Sequence, residues 1–484
     1  MKLKFWLMVF VTFASALATR PLVAEPVDAA QVTAWLAGGI PNARLVRLVG
    51  ERGLKQNIDP QQISQLQAAG AGKDLIEVVR SQAKAAGTAP LIPASLLKAA
   101  AAAHQGGWHE AELLLRPVLA ADPENAALHF ALGTILYQQQ QWDDSFDEVT
   151  ASARLMPDLP ENHSSFAYIF YRLDDGPNAI AEARTALSMD PQNAQAYQFL
   201  GLALYSNGQY AASVHAFSES LARDDANADT YYDMGIALHA QGNFSAASSA
   251  YNRAIRLRPA FWEAHSNLGL TLHEEGKLVE AIAEYREAQR IAPDEPSVRN
   301  NLGNTYCDLG QFEAAIAELR ELYRQHPEWQ QGHGCLASAY MVNKNYDGAV
   351  AELQLALLQN PTGSAEHRLL GQALLLDDKP EEALRQFRQA VSLDPDSDLA
   401  HHYLGTALFQ LGQKHAAEKE FREALRLKAS ADNHYSLAAC LMSLDRYDEA
   451  LSELEFAYRL APDRPLYRAR REELIRLLKE TSSQ

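Results

Sequence analysis

The stretch from Trp262 to Glu295 reads WEAHSNLGLTLHEEGKLVEAIAEYREAQRIAPDE. It contains two apolar segments, one around Leu268 and one around Tyr285. Gly276 breaks the chain between them, and Pro293 ends the second segment because proline lacks the amide hydrogen that a helix interior needs. The stretch therefore predicts two helices joined by a short turn.

The same pattern recurs along the chain with a period of 34 residues. One ladder consists of glycines, with Ala167 and Ala337 on its two skipped rungs: Gly133, Gly201, Gly235, Gly269, Gly303, Gly371 and Gly405. A second ladder consists of prolines, is interrupted at Asp225 and resumes out of step at Pro462: Pro123, Pro157, Pro191, Pro259, Pro293, Pro327, Pro361 and Pro395. Such a period is typical of stacked helical hairpins, whose function lies on the surface that stacking creates.

The repeat unit resembles the tetratricopeptide repeat over about 370 residues. That family has a small residue at position 8, alanine at 20, an aromatic residue or leucine at 24, alanine at 27 and proline at 32. Eleven units fit, and they start at residues 92, 126, 160, 194, 228, 262, 296, 330, 364, 398 and 431. The resemblance implies an all-α fold, a right-handed α-solenoid of stacked helix-turn-helix repeats with a small N-terminal helical module.

Close packing explains the small residues of the repeat. Two helices approach within about 8–10 Å only where small side chains face each other, and we expect Gly269 to face Ala281 in this way. The aromatic residue at position 24, such as Tyr285, is expected to fill the space between one hairpin and the next. Each repeat would then complete its core on its neighbour.

The chain divides into five predicted parts. Residues 1–24 form a signal peptide, 27–86 a small helical module, 87–91 a linker, 92–464 the eleven repeats, and 465–484 a C-terminal capping helix and tail. In the module, glycines and prolines separate four helices, and Asp59 and Pro60 open the third. Val32 to Arg80 resembles a small helical module that precedes repeats or protease domains in some exported bacterial proteins.

The amino terminus has the composition of an export signal. Lys2 and Lys4 precede an apolar run from Phe5 to Ala18, which is shorter than the roughly 20 residues of a membrane span. Cleavage is predicted after Ala18 or after Ala24. The protein is then periplasmic or secreted and has no membrane insertion after cleavage; the alternative is an anchor formed by an uncleaved signal.

The net charge and the number of cysteines bear on the possible partners and on disulfide bonds. A formal net charge of −18 repels the phosphate backbone, so no nucleic acid partner is expected. Three cysteines form no disulfide framework. Cys307 and Cys335 fall on first helices of adjacent repeats, where they either pair or serve as small buried hydrophobes. The oligomeric state stays open.

No catalytic motif is present in the sequence. It contains no glycine-rich phosphate loop, no Gly-x-Ser-x-Gly, no His-Glu-x-x-His and no Cys-x-x-Cys. His401 and His402 are adjacent, so on a helix their rings point about 100° apart and make a poor metal clamp. We therefore predict no enzyme activity, no catalytic residues, no cofactor and no metal site.

Candidate binding residues follow from the resemblance. In the family, positions 2, 5, 9, 12 and 13 face a concave groove that holds an extended peptide or a helix of a partner. The candidate groove residues in this chain are Tyr137, Tyr171, Tyr205, Tyr232, His239, His273, Asn300, Asn304, Arg368, His402 and Phe409. The alternative is that these side chains pack between neighbouring first helices and bind nothing.

The sequence thus favours an exported, non-enzymatic scaffold that binds a protein or peptide partner along its concave groove. A second hypothesis is a structural component of a cell-envelope assembly that uses its convex face and its N-terminal module and leaves the groove empty. Substitution of Tyr171 and Tyr205 would separate the two hypotheses.

Overall fold

The computed structural model describes residues 25–56, 58–82, 92–329 and 331–481. Within these ranges the regular structure is helical and contains no strand, so the predicted all-α class is confirmed. The predicted signal peptide (1–24) and linker (87–91) lie outside the described residues.

The described residues form two compact units, of which the first ends at Pro259 and the second begins at Ala260. The first unit contains the four helices of the N-terminal module and then five helix pairs. Its helices are α1 (Ala29–Ala37), α2 (Asn42–Arg52), α3 (Pro60–Ala68), α4 (Lys73–Ser81), α5 (Ala94–His104), α6 (Trp108–Ala121), α7 (Ala126–Gln138), α8 (Trp142–Leu155), α9 (Pro160–Arg172), α10 (Gly176–Met189), α11 (Ala194–Ser206), α12 (Tyr210–Leu221), α13 (Ala228–Ala240) and α14 (Phe244–Leu257).

The second unit contains six helix pairs and a final helix. Its helices are α15 (Trp262–Glu274), α16 (Leu278–Ile291), α17 (Pro296–Asp308), α18 (Phe312–Gln325), α19 (His333–Val342), α20 (Tyr346–Gln359), α21 (Ser364–Leu376), α22 (Pro380–Leu393), α23 (Asp398–Gln410), α24 (Lys414–Leu427), α25 (Ala431–Ser443), α26 (Tyr447–Leu460) and α27 (Pro465–Thr481). In each unit the two helices of a pair pack on each other, and the second also packs on the first helix of the next pair. Each unit is a stack of hairpins.

Local signals explain where the helices begin and turn. Asp59 caps α3: its side chain accepts a hydrogen bond from the backbone N–H of Gln62 at 2.7 Å, and the Gln62 side chain accepts one from the Asp59 N–H. The turn inside every hairpin places its position 15 at positive φ, where glycine is unstrained and Asn or Asp is tolerated. The residues at this position are Gly106, Gln140, Asp174, Gly208, Gly242, Gly276, Gly310, Lys344, Asp378, Gly412 and Asp445.

The glycine ladder has a second neighbour besides the one predicted. A Cβ atom on Gly269 would lie 2.8 Å from Cε1 of Tyr285, so the residue at position 24 of the same hairpin, rather than Ala281 at position 20, occupies the space of the missing side chain. Position 20 faces the glycine carbonyl instead, as the 2.7 Å hydrogen bond from Ser145 Oγ to Gly133 O illustrates. Tyr285 therefore packs inside its own hairpin, a contact that the sequence analysis did not predict.

Positions 8 and 24 compensate each other in size. Gly235, Gly371 and Gly405 each lie under an aromatic ring at position 24 of their own hairpin. Where position 8 is Ala167, position 24 is Ala183, and both are fully buried in one small cluster. In this hairpin a side chain gained on one helix is matched by a side chain lost on the other, which keeps the packing dense.

The Gly235→Leu substitution is expected to destabilise the hairpin of α13 and α14 by about 1–3 kcal/mol. Even a Cβ atom there would lie 2.5 Å from Cε1 of Tyr251, a ring that is almost fully buried and has no room to move. Hydrogen exchange of α13 and α14 amides measures the effect. In the matched control, Gly235→Leu combined with Tyr251→Ala, part of the loss should return; equal protection in Gly235→Leu and the parent chain would contradict the packing argument.

None of the helices in the described ranges is both long enough and apolar enough to cross a membrane.

Candidate partner-binding groove

The N-terminal module covers the first part of the predicted groove. Helix α1 packs against α5 and α7, the first helices of the first two repeats. Gly38, just after α1, lies so close to Phe130 that a Cβ atom would be 2.8 Å from its Cε1. Phe130 and Thr134 occupy positions 5 and 9 of their repeat, which face the groove in the family, and both are buried. The sequence did not predict this contact.

Arginines on α2 fix the module to the second and third repeats. Arg44 Nε lies 2.7 Å from Glu161 Oε1 and 3.2 Å from Asp190 Oδ2. Arg47 adds a 3.1 Å contact to the same Asp190 oxygen, and Arg52 lies 2.7 Å from an oxygen of Asp158. Arg44 and Glu161 are 8% and 2% exposed. The module is therefore joined to the repeats through a buried ion-pair cluster as well as through apolar contacts.

Beyond the module, first helices α7, α9, α11 and α13 line a cavity of about 470 Å³, which we call the aromatic pocket. The predicted residues Tyr137 and Tyr171 both line it, although Tyr137 is buried. The other residues around it are Gln138, Tyr168, Arg172, Gln195, Gln198, Phe199, Leu202, Asp229 and Asp233. Most of them occupy positions 2, 5, 9, 12 and 13, so residues at the groove positions of the family do meet in this pocket.

Asp233 is the residue of the aromatic pocket with the most unusual electrostatics. Burial raises the pKa of its carboxyl group to about 7, although the hydrogen bond from Gln198 Nε2, at 3.2 Å, acts in the opposite direction. Asp229, one turn earlier on α13, raises it further through charge repulsion. Sequence reasoning missed Asp233 because position 6 is not among the groove positions of the family.

Three predicted residues further along the first unit make contacts with aromatic side chains. The rings of Tyr205 and Tyr210 lie 5.4 Å apart, and those of His239 and Phe244 lie 5.2 Å apart. Tyr232 lies 6.0 Å from the ring of Tyr251. Each of these residues is only partly exposed, so packing accounts for at least part of its surface.

The second unit has its own cavity, the disulfide pocket, of about 590 Å³ between α15, α17 and α19. His273 and Asn304, both predicted, line it, and His273 Nε2 lies 2.8 Å from Asp308 Oδ2. Asn300 is 4% exposed and does not line the pocket. Of the three asparagines on α17, Asn301 and Asn304 line the pocket and Asn300 does not.

Cys307 and Cys335 form a disulfide across this pocket, with their Cα atoms 6.2 Å apart. The bond joins position 12 of one repeat to position 6 of the next, so it connects two neighbouring first helices. This settles the open alternative of the sequence analysis in favour of pairing. Cys440 is a buried free thiol, and burial raises its pKa.

The last three predicted residues do not meet in one site. Arg368 Nη1 donates to Gln372 Oε1 at 3.1 Å on its own helix. His402 Nδ1 lies 2.8 Å from Asn433 Oδ1, and burial lowers the pKa of His402. Phe409 lines a smaller cavity of about 260 Å³ with Tyr435 and Met442. These positions are dispersed along the second unit.

Six of the fifteen histidines contact a glutamate of their own hairpin. A histidine at position 4 lies 2.5–2.7 Å from a glutamate at position 23 in six repeats: His129–Glu148, His163–Glu182, His265–Glu284, His333–Glu352, His401–Glu420 and His434–Glu453. The hydrogen bond to Glu148 raises the pKa of His129. Where position 4 is Tyr197 or Tyr231, position 23 is alanine. We therefore assign these histidine–glutamate pairs a structural role within the hairpins.

The residues that the structure describes include no group of three or more His, Cys, Asp or Glu side chains placed to hold a metal ion.

Comparisons with known families identify the repeats. A tetratricopeptide repeat model matches residues 96–160, 165–228 and 232–296, and a second tetratricopeptide repeat model matches 272–338. The chain belongs to the tetratricopeptide repeat family. A further model, described as anaphase-promoting complex, cyclosome, subunit 3, matches residues 381–457. Among curated proteins, none matches the chain.

Several solved tetratricopeptide repeat structures are similar to the chain. A protein from Parabacteroides merdae is 17% identical, with 51% of this chain and 98% of that chain covered and a TM-score of 0.43. The structure of the APC/C hetero-tetramer Cut9-Hcn1 is 12% identical, with 86% of this chain and 99% of that chain covered and a TM-score of 0.45. YrrB, whose structure is described as having an unusual peptide-binding site, gives 18% identity, 39% and 97% coverage and a TM-score of 0.35.

Proposed function

We propose that this tetratricopeptide repeat protein is an exported, non-enzymatic scaffold that binds a protein or peptide partner along its first helices. The observation that carries the proposal is the packing of α1 on α5 and α7. Groove positions such as Phe130 and Thr134 there already hold a helix of the same chain. The first helices that follow offer the aromatic pocket, and those of the second unit the disulfide pocket, for a segment of another protein.

Two features support export. The first 24 residues have the charge and apolar pattern of a signal peptide. The Cys307–Cys335 bond fits an oxidising compartment, because disulfides persist in the periplasm and outside the cell and are rare in the cytosol. We therefore place the mature protein in the periplasm or outside the cell.

The second hypothesis, an envelope component that uses its convex face, rests on exposed leucines of second helices. Leu355 and Leu358 on α20 are 45% and 78% exposed. Leu113 on α6 is 59% exposed. Exposed apolar residues of this kind are common when scattered singly, so this hypothesis comes second.

Site-directed photo-crosslinking in the native organism tests both hypotheses. A photo-crosslinking amino acid at Leu202 or at Ser338 probes the aromatic and the disulfide pocket, and matched probes at Leu113 and at Leu358 report on second helices. The scaffold proposal expects a protein partner linked from the first two positions and not from the other two. Crosslinks from Leu113 and Leu358 alone would favour the second hypothesis, and crosslinks from none of the four would contradict both.

A further inference from the structure

The aromatic pocket combines tyrosine rings with a partly buried acid, Asp233. The ring centroids of Tyr137 and Tyr168 lie 5.1 Å apart, and those of Tyr168 and Tyr171 lie 6.1 Å apart. Phe199 extends the same wall, 4.9 Å from Tyr168. Asp233 lines the same cavity, and its charge acts on Tyr171 of this wall. Aromatic faces and a carboxylate are both complementary to a positive charge.

Two arginines near the pocket already interact with other side chains of the chain. The guanidinium of Arg172 lies 5.0 Å from the ring of Trp142 and 6.0 Å from that of Tyr168. Arg258 binds both oxygens of Asp229, at 2.9 and 2.6 Å. Among the described residues, Asp233 accepts a hydrogen bond from the neutral side chain of Gln198 and has no ion pair. The pocket therefore contains an acid that its own chain leaves without a counter-charge.

We propose that the aromatic pocket binds an arginine side chain of the partner, with its guanidinium on Asp233 and its planar face on the tyrosine rings. This inference rests on the proposed function, because it names the chemistry by which one groove site recognises its partner. Arginine is favoured over lysine because a guanidinium both stacks on aromatic rings and pairs with a carboxylate through two parallel hydrogen bonds. The cavity, at about 470 Å³, has room for the side chain and adjoining backbone.

The stability of the fold does not explain Asp233. A carboxyl group whose pKa is raised to about 7 by burial binds its proton more tightly in the folded than in the unfolded chain. The free energy of unfolding then falls as the pH rises from about 4 to 7 and stays lower above pH 7. Asp233→Asn should therefore raise stability at pH 8. An acid that costs stability is more readily explained by binding than by folding.

Other ionisable groups act on Asp233 from the elements packed around it. Asp229 lies on the same helix, Tyr171 on α9, and Tyr251 on α14. Burial raises the pKa of both tyrosines, so neither ionises near neutral pH. Over the range around pH 7, the carboxyl group of Asp233 is therefore the group in this set that changes charge.

Binding of small amides to the full chain tests the inference. The probe is N-acetyl-arginine amide, and its control is N-acetyl-citrulline amide, which has nearly the same shape without the charge. At pH 8 we expect the arginine amide to bind at least about tenfold more tightly, as a charge-assisted pair in a buried site should. Asp233→Asn should abolish this preference, and the matched variant Asp225→Asn, in an exposed turn, should keep it.

Three results would overturn the inference: equal affinity for the two amides, no saturable binding of the arginine amide, or an unchanged preference in Asp233→Asn. If Asp233→Asn does not fold, the pH dependence of binding to the unaltered chain tests the inference. The affinity for the arginine amide must fall as the pH is lowered below about 7, because the carboxyl group of Asp233 then becomes protonated. Crosslinks from Ser338 report on another pocket. If the chain does not bind the arginine amide but still forms the crosslinks from Ser338, this inference alone is wrong. If the crosslinks are absent as well, the proposed function is wrong.

Discussion

Replacing Arg44 with Met is expected to destabilise the first unit by about 3–5 kcal/mol, as removal of one partner from a buried ion pair does. The substitution leaves the Glu161 carboxylate, 2% exposed, without its cation. Its other oxygen, Oε2, has no hydrogen-bond partner among the described residues. Asp190 also loses a contact, although Arg47 still lies 3.1 Å away.

Hydrogen exchange measures this effect where it arises, in the amides of α1, α2 and α9. The matched control is Arg47→Met, because the Arg47 side chain is 35% exposed and an exposed pair contributes only about 0–1 kcal/mol. Similar losses in the two variants would contradict a special role for the buried cluster. Unchanged protection in Arg44→Met would mean that apolar packing alone holds the module in place.

Loss of the Cys307–Cys335 disulfide is expected to lower the stability of the surrounding repeats by about 3–4 kcal/mol, the value that loop-closure entropy gives for this spacing. The two cysteines are separated by 28 residues, so the bond closes a loop of nearly one repeat. It also joins α17 directly to α19, first helices that otherwise depend on side-chain packing.

The double variant Cys307→Ser with Cys335→Ser tests the effect through protection of α17, α18 and α19 against exchange. Adding reductant to the parent chain should reproduce the loss and should leave the double variant unchanged. Cys440→Ser, which removes the buried free thiol, is the control and should keep the response to reductant. Equal protection with and without the bond would contradict the prediction.

The two 34-residue ladders predict most of the fold. The glycines mark the close contact inside a hairpin, and the prolines mark the end of its second helix. They could not identify the neighbour of Gly269. Spacing tells which positions face each other, and Ala281 and Tyr285 are one turn apart on the same face of α16. Only the side-chain geometry decides that the ring, rather than the alanine, fills the gap.

The candidate site was predictable in part for a similar reason. Positions 12 of two repeats, Tyr137 and Tyr171, do reach the aromatic pocket, since the stripe of first-helix residues survives stacking. Asp233 was missed because its position has no role in the family pattern. Pairing of Cys307 with Cys335 depended on a Cα separation that no spacing reveals.

The docking of the module on the repeats was not predictable either. The module does not share the 34-residue period, so no register relates α1 to α7. The arginines of α2 were a signal that could have been used, since Arg44, Arg47 and Arg52 recur on a short helix. Their partners, however, lie more than 100 residues away in sequence.

The packing of α1 against α7 also sets an order of events during synthesis. Helix α1 leaves the ribosome before the repeats do, and Phe130, which shares its core, is translated about 5–20 seconds later at ordinary elongation rates. Throughout that interval the side of α1 that packs on α7 lacks this neighbour. Helix α1 therefore reaches its final environment only after the first helix of the second repeat has been made.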